Sequence, residues 1–429
     1  MSGRMAKDTL DKLLKNIINT PSDYAKISRE IEKRNSFNRI NISYLASYTS
    51  EVLKPYIVVE LAKKGYKGSL YFAPFNQFEQ EIHNSDSGLY LSNPDVVILH
   101  NRIEDNHQDL VSRFAKYSES DLNSLADNII QRHKLMIETL RSKSDTKIIV
   151  MNFGNLQMTE DFFTSSSIIQ SQWVYIQKLN NRLLELCNKI PSCYVVNYQQ
   201  IFNGIGLNNC IDPKLFYMAR IPFNSNAQIS FGKIISRTIA ATYCSPAKCI
   251  VLDLDNTLWG GVIGEDGISG IQISDEYPGN VFKDFQRALL GLRDQGVLLS
   301  IASKNNLDDV LEVFERHTDC LLKKNDFSSM QINWEDKASS IKKISKELNI
   351  GLDSIVFFDD NPVERDWVRK QLPNVKVIDV PKNSMDYLKA LNESTFFDRL
   401  EVTNEDRSRA DIYQQEKQKK IDLNNSVSV

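Results

Sequence analysis

Long apolar runs are missing from this chain. No stretch reaches the roughly 18 consecutive apolar residues that a bilayer-crossing helix needs, so no membrane span is expected. Met1 to Asn19 mixes charges with Leu and Ile at helical spacing and has no continuous apolar core, which argues against a secretory signal. Cysteine is scarce. The six residues Cys187, Cys193, Cys210, Cys244, Cys249 and Cys320 form no CxxC pair. Neither a disulfide framework nor a structural zinc site is expected, and a reducing, cytoplasmic setting fits best. A surplus of positive charge is also absent: 52 Lys and Arg against 55 Asp and Glu leave a net charge of −3. Nucleic acid is therefore not an expected partner. No internal repeat or low-complexity tract stands out.

What the sequence does contain is alternation. A hydrophobic content of 41% and a charged content of 25% are globular proportions, and 429 residues are long for a single core. Met1 to about Asn35 reads as charged amphipathic helix. Short apolar runs follow at Ile40 to Leu45, Ser69 to Phe72, Asp95 to His100, Lys147 to Asn152 and Tyr194 to Asn197. Helical patterns separate most of them, at Ser50 to Lys64, Leu122 to Leu140, Ser167 to Asn188 and Ala227 to Tyr243. Tyr243 to Lys248 breaks the pattern. New strands are then expected at Cys249 to Leu252, Val297 to Ala302, Ser354 to Phe358 and Val375 to Val380, with a weaker one at Cys320 to Lys323. Helices are expected at Val281 to Gln295, Leu307 to Arg316, Lys337 to Leu348 and Val363 to Leu372. Such alternation means crossover units and parallel sheets. The expected class is α/β, with two Rossmann-like or flavodoxin-like parallel-sheet domains at 36–244 and 245–395. A helical segment (1–35) precedes them and a helical tail (396–429) follows.

The second alternation carries the chemistry. Its first strand runs straight into Asp253-Leu254-Asp255-Asn256-Thr257-Leu258-Trp259-Gly260-Gly261. Two carboxylates at the carboxyl end of a parallel strand lie where open α/β sheets bind ligands. The same residue types would also serve as a helix cap. Three more element ends bear polar groups: Ser303-Lys304-Asn305, Lys337 after Asn333 to Asp336, and Asp359-Asp360-Asn361-Pro362. Carboxylates gathered at one edge raise each other's pKa unless a cation joins them. A hard divalent ion, most naturally Mg²⁺, resolves that conflict. The Ser303 hydroxyl and the Lys337 ammonium suit phosphoryl oxygens. One carboxylate can attack phosphorus, and another two residues on can serve as acid and then base.

These four segments, in order from about Lys248 to Val380, resemble the motifs of the haloacid-dehalogenase-like (HAD) phosphohydrolase superfamily. The resemblance implies a nucleophile and Mg²⁺ ligand at Asp253. It implies a general acid/base at Asp255, whose backbone carbonyl also reaches the metal. Ser303 and Lys337 would bind the phosphate, and Asp359, with Asp360 beside it, would complete the metal site. Dehalogenating relatives lack an acid/base at the position of Asp255, so a small phosphorylated metabolite is the implied substrate.

Lys248 to Gly267 and Phe358 to Arg365 further resemble the FkbH-like subfamily (subfamily IIIC). Some members load a glyceryl unit from 1,3-bisphosphoglycerate onto an acyl carrier protein, and others act as phosphatases. Carrier loading and a non-catalytic scaffold are thus the alternatives to phosphate hydrolysis. Many FkbH-like chains continue into an acetyltransferase-like region, whereas this sequence ends at Val429, which weighs toward hydrolysis.

Thr257, Trp259, Gly260, Gly261, Asn305 and Asn361 are the expected substrate contacts. Trp259 either stacks on substrate or packs beneath a flap. Asn361 either meets a substrate anion or caps the helix after Pro362. Arg365 is expected on that helix's surface. Trp259 to Pro278 is too short for a cap domain and suits a small β-hairpin flap hinged at Gly260 and Gly261. Cys249 lies four residues before Asp253, roughly 13 Å along a strand, and reads as core, as does Cys320.

The first half loosely resembles SGNH-type esterases. Ala46-Ser47-Tyr48-Thr49 occupies the nucleophile's place, and Asn152-Phe153-Gly154-Asn155 that of an oxyanion-site Asn. The Asp-x-x-His such enzymes need is Asp212 with Leu215 three residues on. Ser47 therefore lacks an activating base. His100 and His107 flank a loop and are expected at the surface. A binding scaffold without hydrolase activity is the expectation.

Overall fold

A computed structural model describes residues 14, 20–34, 37–154, 171–401, 403, 404, 406, 409 and 413. The expected helices before residue 20 and in the tail fall largely outside them. The chain divides into two compact units, Met1–Tyr243 and Cys244–Val429.

The first unit is one five-stranded sheet, every pair parallel. Its strands are β1 (Asn38–Ala46), β2 (Tyr66–Phe72), β3 (Val96–His100), β4 (Lys147–Met151) and β5 (Cys193–Val196), in the order β2-β1-β3-β4-β5. Side chains alternate faces along a strand, so each strand feeds two cores. Ile42, Tyr44, Ile98 and Ile149 face one cluster with Ile57 and Phe231 from the helices Lys54–Ala62 and Ser225–Ala241. Leu45, Val97, Leu99 and Val150 face another with Ile137 and Leu179 from Glu119–Lys143 and Gln172–Cys187. Burial on both faces is why these strands read as unbroken apolar runs rather than as alternation.

The second unit repeats the plan. Its strands are β6 (Cys249–Leu252), β7 (Leu298–Ser303), β8 (Phe327–Ile332), β9 (Ile355–Phe358) and β10 (Lys376–Val377), in the parallel order β10-β9-β6-β7-β8. Ile250, Leu252, Ile301 and Phe358 pack with Phe285 and Phe314 on one side. Cys249, Val251, Leu298 and Phe357 pack with Ile341 and Val368 on the other. Cys320 to Lys323 is not a strand; the edge strand begins at Phe327 instead. Its Ser328, Ser329 and Gln331 disguise it: the two serines are buried without being apolar, and the half from Met330 on is partly exposed, so no apolar run marks the strand. The expected run at Val375 to Val380 pairs only at Lys376 and Val377.

The flap after Trp259 keeps only the base of a hairpin. Gly260 and Gln272 form a single antiparallel bridge, with their amides and carbonyls exchanged at 3.2 and 2.8 Å. Between them the chain is helical over Ile263–Gly270, interrupted at Gly267 (φ 67°). The Asp266 carboxylate accepts the Val262 amide at 2.7 Å, which stabilises a helical turn here rather than two facing strands. Gly261 sits at φ +90° against Asp266, a conformation and a space that suit glycine alone.

Gln286 ties the centre of this unit together. Fully buried, it donates to the Leu258 carbonyl at 2.8 Å and accepts the Leu321 and Leu322 amides at 2.9 and 3.2 Å. Each buried backbone group left unpaired costs about 1–3 kcal/mol. Gln286→Leu is therefore expected to destabilise the chain by more than about 2 kcal/mol, read as a lower denaturant midpoint for loss of secondary structure.

Candidate active site

The chain leaves β6 for β7 and β8 on one side, then returns to β9 on the other. The carboxyl ends of β6 and β9 thus flank a switch-point crevice. Asp253 follows β6 and Asp359 follows β9 directly, so sheet topology alone brings these distant carboxylates together.

Lys337, the first residue of the helix Lys337–Glu347, is 3% exposed. Its ammonium donates to Asp253 Oδ1 at 2.5 Å and to the Ala302 carbonyl at 2.7 Å, and lies 3.3 Å from Asp359 Oδ2. Burial opposes the charge, but Asp253 and Asp359 outweigh it and hold the Lys337 pKa above the ordinary lysine value. Asp253, Asp359 and Asp360 offer carboxylate oxygens that all lie within 4.8 Å of one another. Asp359 is fully buried, and its Oδ2 takes no hydrogen bond. Burial first, then the Asp253 charge, pushes the Asp359 carboxyl up to about 7. Lys337 and the Asn361 amide, which bonds Asp359 Oδ1 at 2.8 Å, pull the other way. Burial and Asp253 also raise Asp360. Three converging carboxylates that share one ammonium offer hard oxygen ligands that fit a divalent cation.

Asp255 points elsewhere. Its Oδ1 accepts from the Trp259 indole at 2.9 Å and the Ile263 amide at 3.1 Å, and its Oδ2 accepts from the Asn305 amide at 3.0 Å. Its side chain is outside the acidic cluster. Trp259 is fully buried against Phe314, so it packs beneath the flap and does not stack on substrate. Asn305 is 7% exposed and also donates to Ser303 Oγ at 3.0 Å, linking Ser303 to Asp255. Thr257 is buried, 3.4 Å from Asp360 Oδ1. Gly260 is buried against Gln272 and Phe282. The Gly261 amide donates to the Asn256 side chain at 3.0 Å, which stabilises Asn256 at φ 55°. The Asn361 side chain caps the helix Pro362–Gln371 by accepting the Val363 amide.

Arg365 corrects the sequence reading. It is 9% exposed, and one guanidinium nitrogen donates to the carbonyls of Asp359 and Asp360 at 2.6 and 2.7 Å. Side chains on a helix lean toward its N-terminus, so an Arg in the first turn after Pro362 sweeps back over the preceding loop. That lean was the available signal. Tyr387 was also missed; its hydroxyl donates to the Asn256 carbonyl at 3.0 Å. Cys249 is buried, with its thiol pushed up to about 12 by burial, and Cys320 is buried likewise.

In the first unit, Ser47 and Asn152 do not share a site. Asn152 bonds the Asn197 side chain and the Tyr198 amide and lines a different cavity from Ser47. Asn155 lies outside the described residues. Asp212 caps its helix through the Leu215 amide at 2.9 Å. His100 is buried, not at the surface, with Nδ1 2.8 Å from the Tyr44 and Tyr48 hydroxyls, because it closes β3 inside the sheet.

Strand order, the aspartate loop and the buried lysine define a HAD-like domain. Residues 246–387 match the Acid Phosphatase family model, and residues 41–238 match that of the FkbH N-terminal domain. The two matches adjoin, so the chain pairs a part similar to the FkbH N-terminal domain with a HAD-like acid-phosphatase part. It is similar to the solved N-terminal part of the protein BF1531 from Bacteroides fragilis, described as containing a phosphatase domain complexed with Mg. The two are 29% identical over 88% of this chain and 99% of that one, with a TM-score of 0.76. A lipase from a goat rumen metagenome (13% identity, 47% of this chain, 97% of that one) reaches a TM-score of 0.35. A GDSL-like lipase from Bacteroides thetaiotaomicron (17%, 51% and 98%) reaches 0.27. No curated protein matches the chain. Among the described residues no helix is long and apolar enough to cross a membrane.

The raised Asp359 carboxyl sets a pH dependence for protein stripped of divalent ions. The folded state holds a proton that the unfolded state has lost, so stability falls as pH rises from about 4 to about 7. The thermal midpoint in chelator is expected to be lower at the top of that window than at its foot; a flat or rising profile contradicts the burial of Asp359.

Proposed function

We propose that the Cys244–Val429 unit is a Mg²⁺-dependent phosphatase that works through a phosphorylated Asp253. The observation that carries this reading is the buried ammonium of Lys337, 2.5 Å from Asp253 and the single cation facing three convergent carboxylates among the described residues. The Mg-complexed relative supports the choice of ion. Asp253, Asp359, Asp360 and the backbone carbonyl of Asp255 are the proposed ligands. When bound, the ion neutralises charge on the phosphoryl oxygens and aligns them with Asp253.

The protein's own groups do the rest. A carboxylate oxygen of Asp253 attacks phosphorus in line, and the bond to the leaving oxygen breaks. Asp255 gives that oxygen a proton. A water then attacks the aspartyl-phosphate, and Asp255 takes its proton back. The indole, amide and carboxamide donors around Asp255 fix its position for both transfers. Lys337 and Ser303 hold the phosphoryl oxygens. Arg365 holds the loop carbonyls that aim Asp359 and Asp360. The substrate is a small phosphate monoester or acyl phosphate. Loading of an acyl carrier protein is the rival, and the burial of Cys249 and Cys320 withholds two thiols from it.

Asp253→Asn is expected to remove turnover of p-nitrophenyl phosphate in a protein that is less stable, having lost the partner of Lys337, but still folded by circular dichroism; parent-level turnover contradicts the nucleophile assignment. Asp255→Asn is expected to slow turnover by about 10²–10⁴-fold. EDTA is expected to silence the enzyme and Mg²⁺ to restore it; full activity in chelator contradicts the metal site.

A further inference from the structure

The first unit holds a second cleft, independent of the proposed phosphatase. The chain leaves β1 for β2 on one side and returns to β3 on the other, so the carboxyl ends of β1 and β3 flank a switch point of their own. Ser47 follows β1, and Arg102 follows β3 by two residues. The Ser47 hydroxyl, 1% exposed, donates to Asp105 at 2.7 Å and accepts the Arg102 amide at 3.0 Å. The Arg102 guanidinium, 4% exposed, pairs with Asp105 at 3.1 Å and lies 3.8 Å from Glu104. Its Nε has no hydrogen-bond partner among the described residues.

Two cavities, of about 580 and 170 Å³, adjoin this cluster and share Gln108, Phe216 and Arg220. Their combined size is that of a small-molecule site. Arg220 ends the helix Pro213–Ala219 at φ 56°, and its carbonyl accepts the Thr49 amide at 3.0 Å. That bond joins the helix end to the loop after β1. Tyr217, 79% exposed, lines the larger cavity, and Phe75, 48% exposed, the smaller.

The charges in this cleft balance. Arg102 and Arg220 stand against Glu104 and Asp105. An anion entering it meets two carboxylates, and a cation meets two guanidiniums. A hydroxyl group suits both, because it donates to the former and accepts from the latter. The Phe216 ring is already faced by the Arg102 and Arg220 guanidiniums, at 5.7 and 5.4 Å, so the exposed rings of Phe75 and Tyr217 are the apolar faces left for the C–H side of a ligand whose edges are hydroxylated. No imidazole joins Ser47: Leu215 follows Asp212, and His100 is engaged by Tyr44 and Tyr48. We propose that this cleft binds a neutral saccharide without cleaving it.

Saturation-transfer NMR on the full chain tests this with glucose, xylose and cellobiose, against glucuronate and glucosamine as charged counterparts. The neutral sugars are expected to receive saturation and the charged ones to receive less. Tyr217→Ala and Arg220→Gln, both on the exposed rim, are expected to weaken the neutral sugar by about tenfold, with unchanged thermal unfolding. Failure of every neutral sugar at millimolar concentration overturns the proposal. So does equal or better binding of a charged sugar, or variants that bind like the parent. Acetate release from an acetylated sugar that Ser47→Ala abolishes overturns its non-cleaving part.

Discussion

One buried ammonium governs the second unit. Lys337 is 3% exposed, a state in which a lysine is tolerated only when paired. Asp253, Asp359 and the Ala302 carbonyl surround it. The dependence is mutual. Without Lys337 the carboxylates of Asp253 and Asp359 repel across a few ångströms of dry protein; without them the ammonium would not stay charged. Removing one partner of such a pair typically costs about 3–5 kcal/mol. The cluster stays short of positive charge all the same: one ammonium faces three carboxylates, and the Asp359 carboxyl is held well above its ordinary value. On the proposed reading that deficit is what recruits the ion, and the ion recruits phosphate.

The rest of the unit serves to aim these groups. β6 and β9 are adjacent although about a hundred residues separate them, and their shared edge delivers Asp253 and Asp359 from opposite sides of one crevice. The loop from Asp253 to Gly261 then turns back on itself, with Asn256 left-handed and Trp259 buried beneath it. That turn directs Asp255 away from the three-carboxylate cluster and onto three donors. Two carboxylates two residues apart thus acquire different surroundings, which is what separate roles require.

Much of this was legible beforehand. Strands buried on both faces announce themselves as β-branched runs, and the polar residues at their ends mark the functional edge; Asp253, Lys337 and Asp359 converge as their places in the chain implied. The edge strand Phe327–Ile332 was not legible, because its polar half hides the period. Arg365 and Trp259 were misjudged or left open for a shared reason. Sequence spacing gives the face a residue occupies, but burial depends on how neighbouring loops fold over it. The flap misled because its glycines permit a hairpin, while the Asp266 cap decides for a helical turn.

The most direct test is chemical trapping of the intermediate. Borohydride reduces an aspartyl-phosphate to homoserine, and peptide mass spectrometry locates the change. With Asp255→Asn protein, Mg²⁺ and a phosphate donor, the account predicts homoserine at position 253 and nowhere else. Homoserine at another aspartate, or none under conditions where phosphate is released, would contradict it.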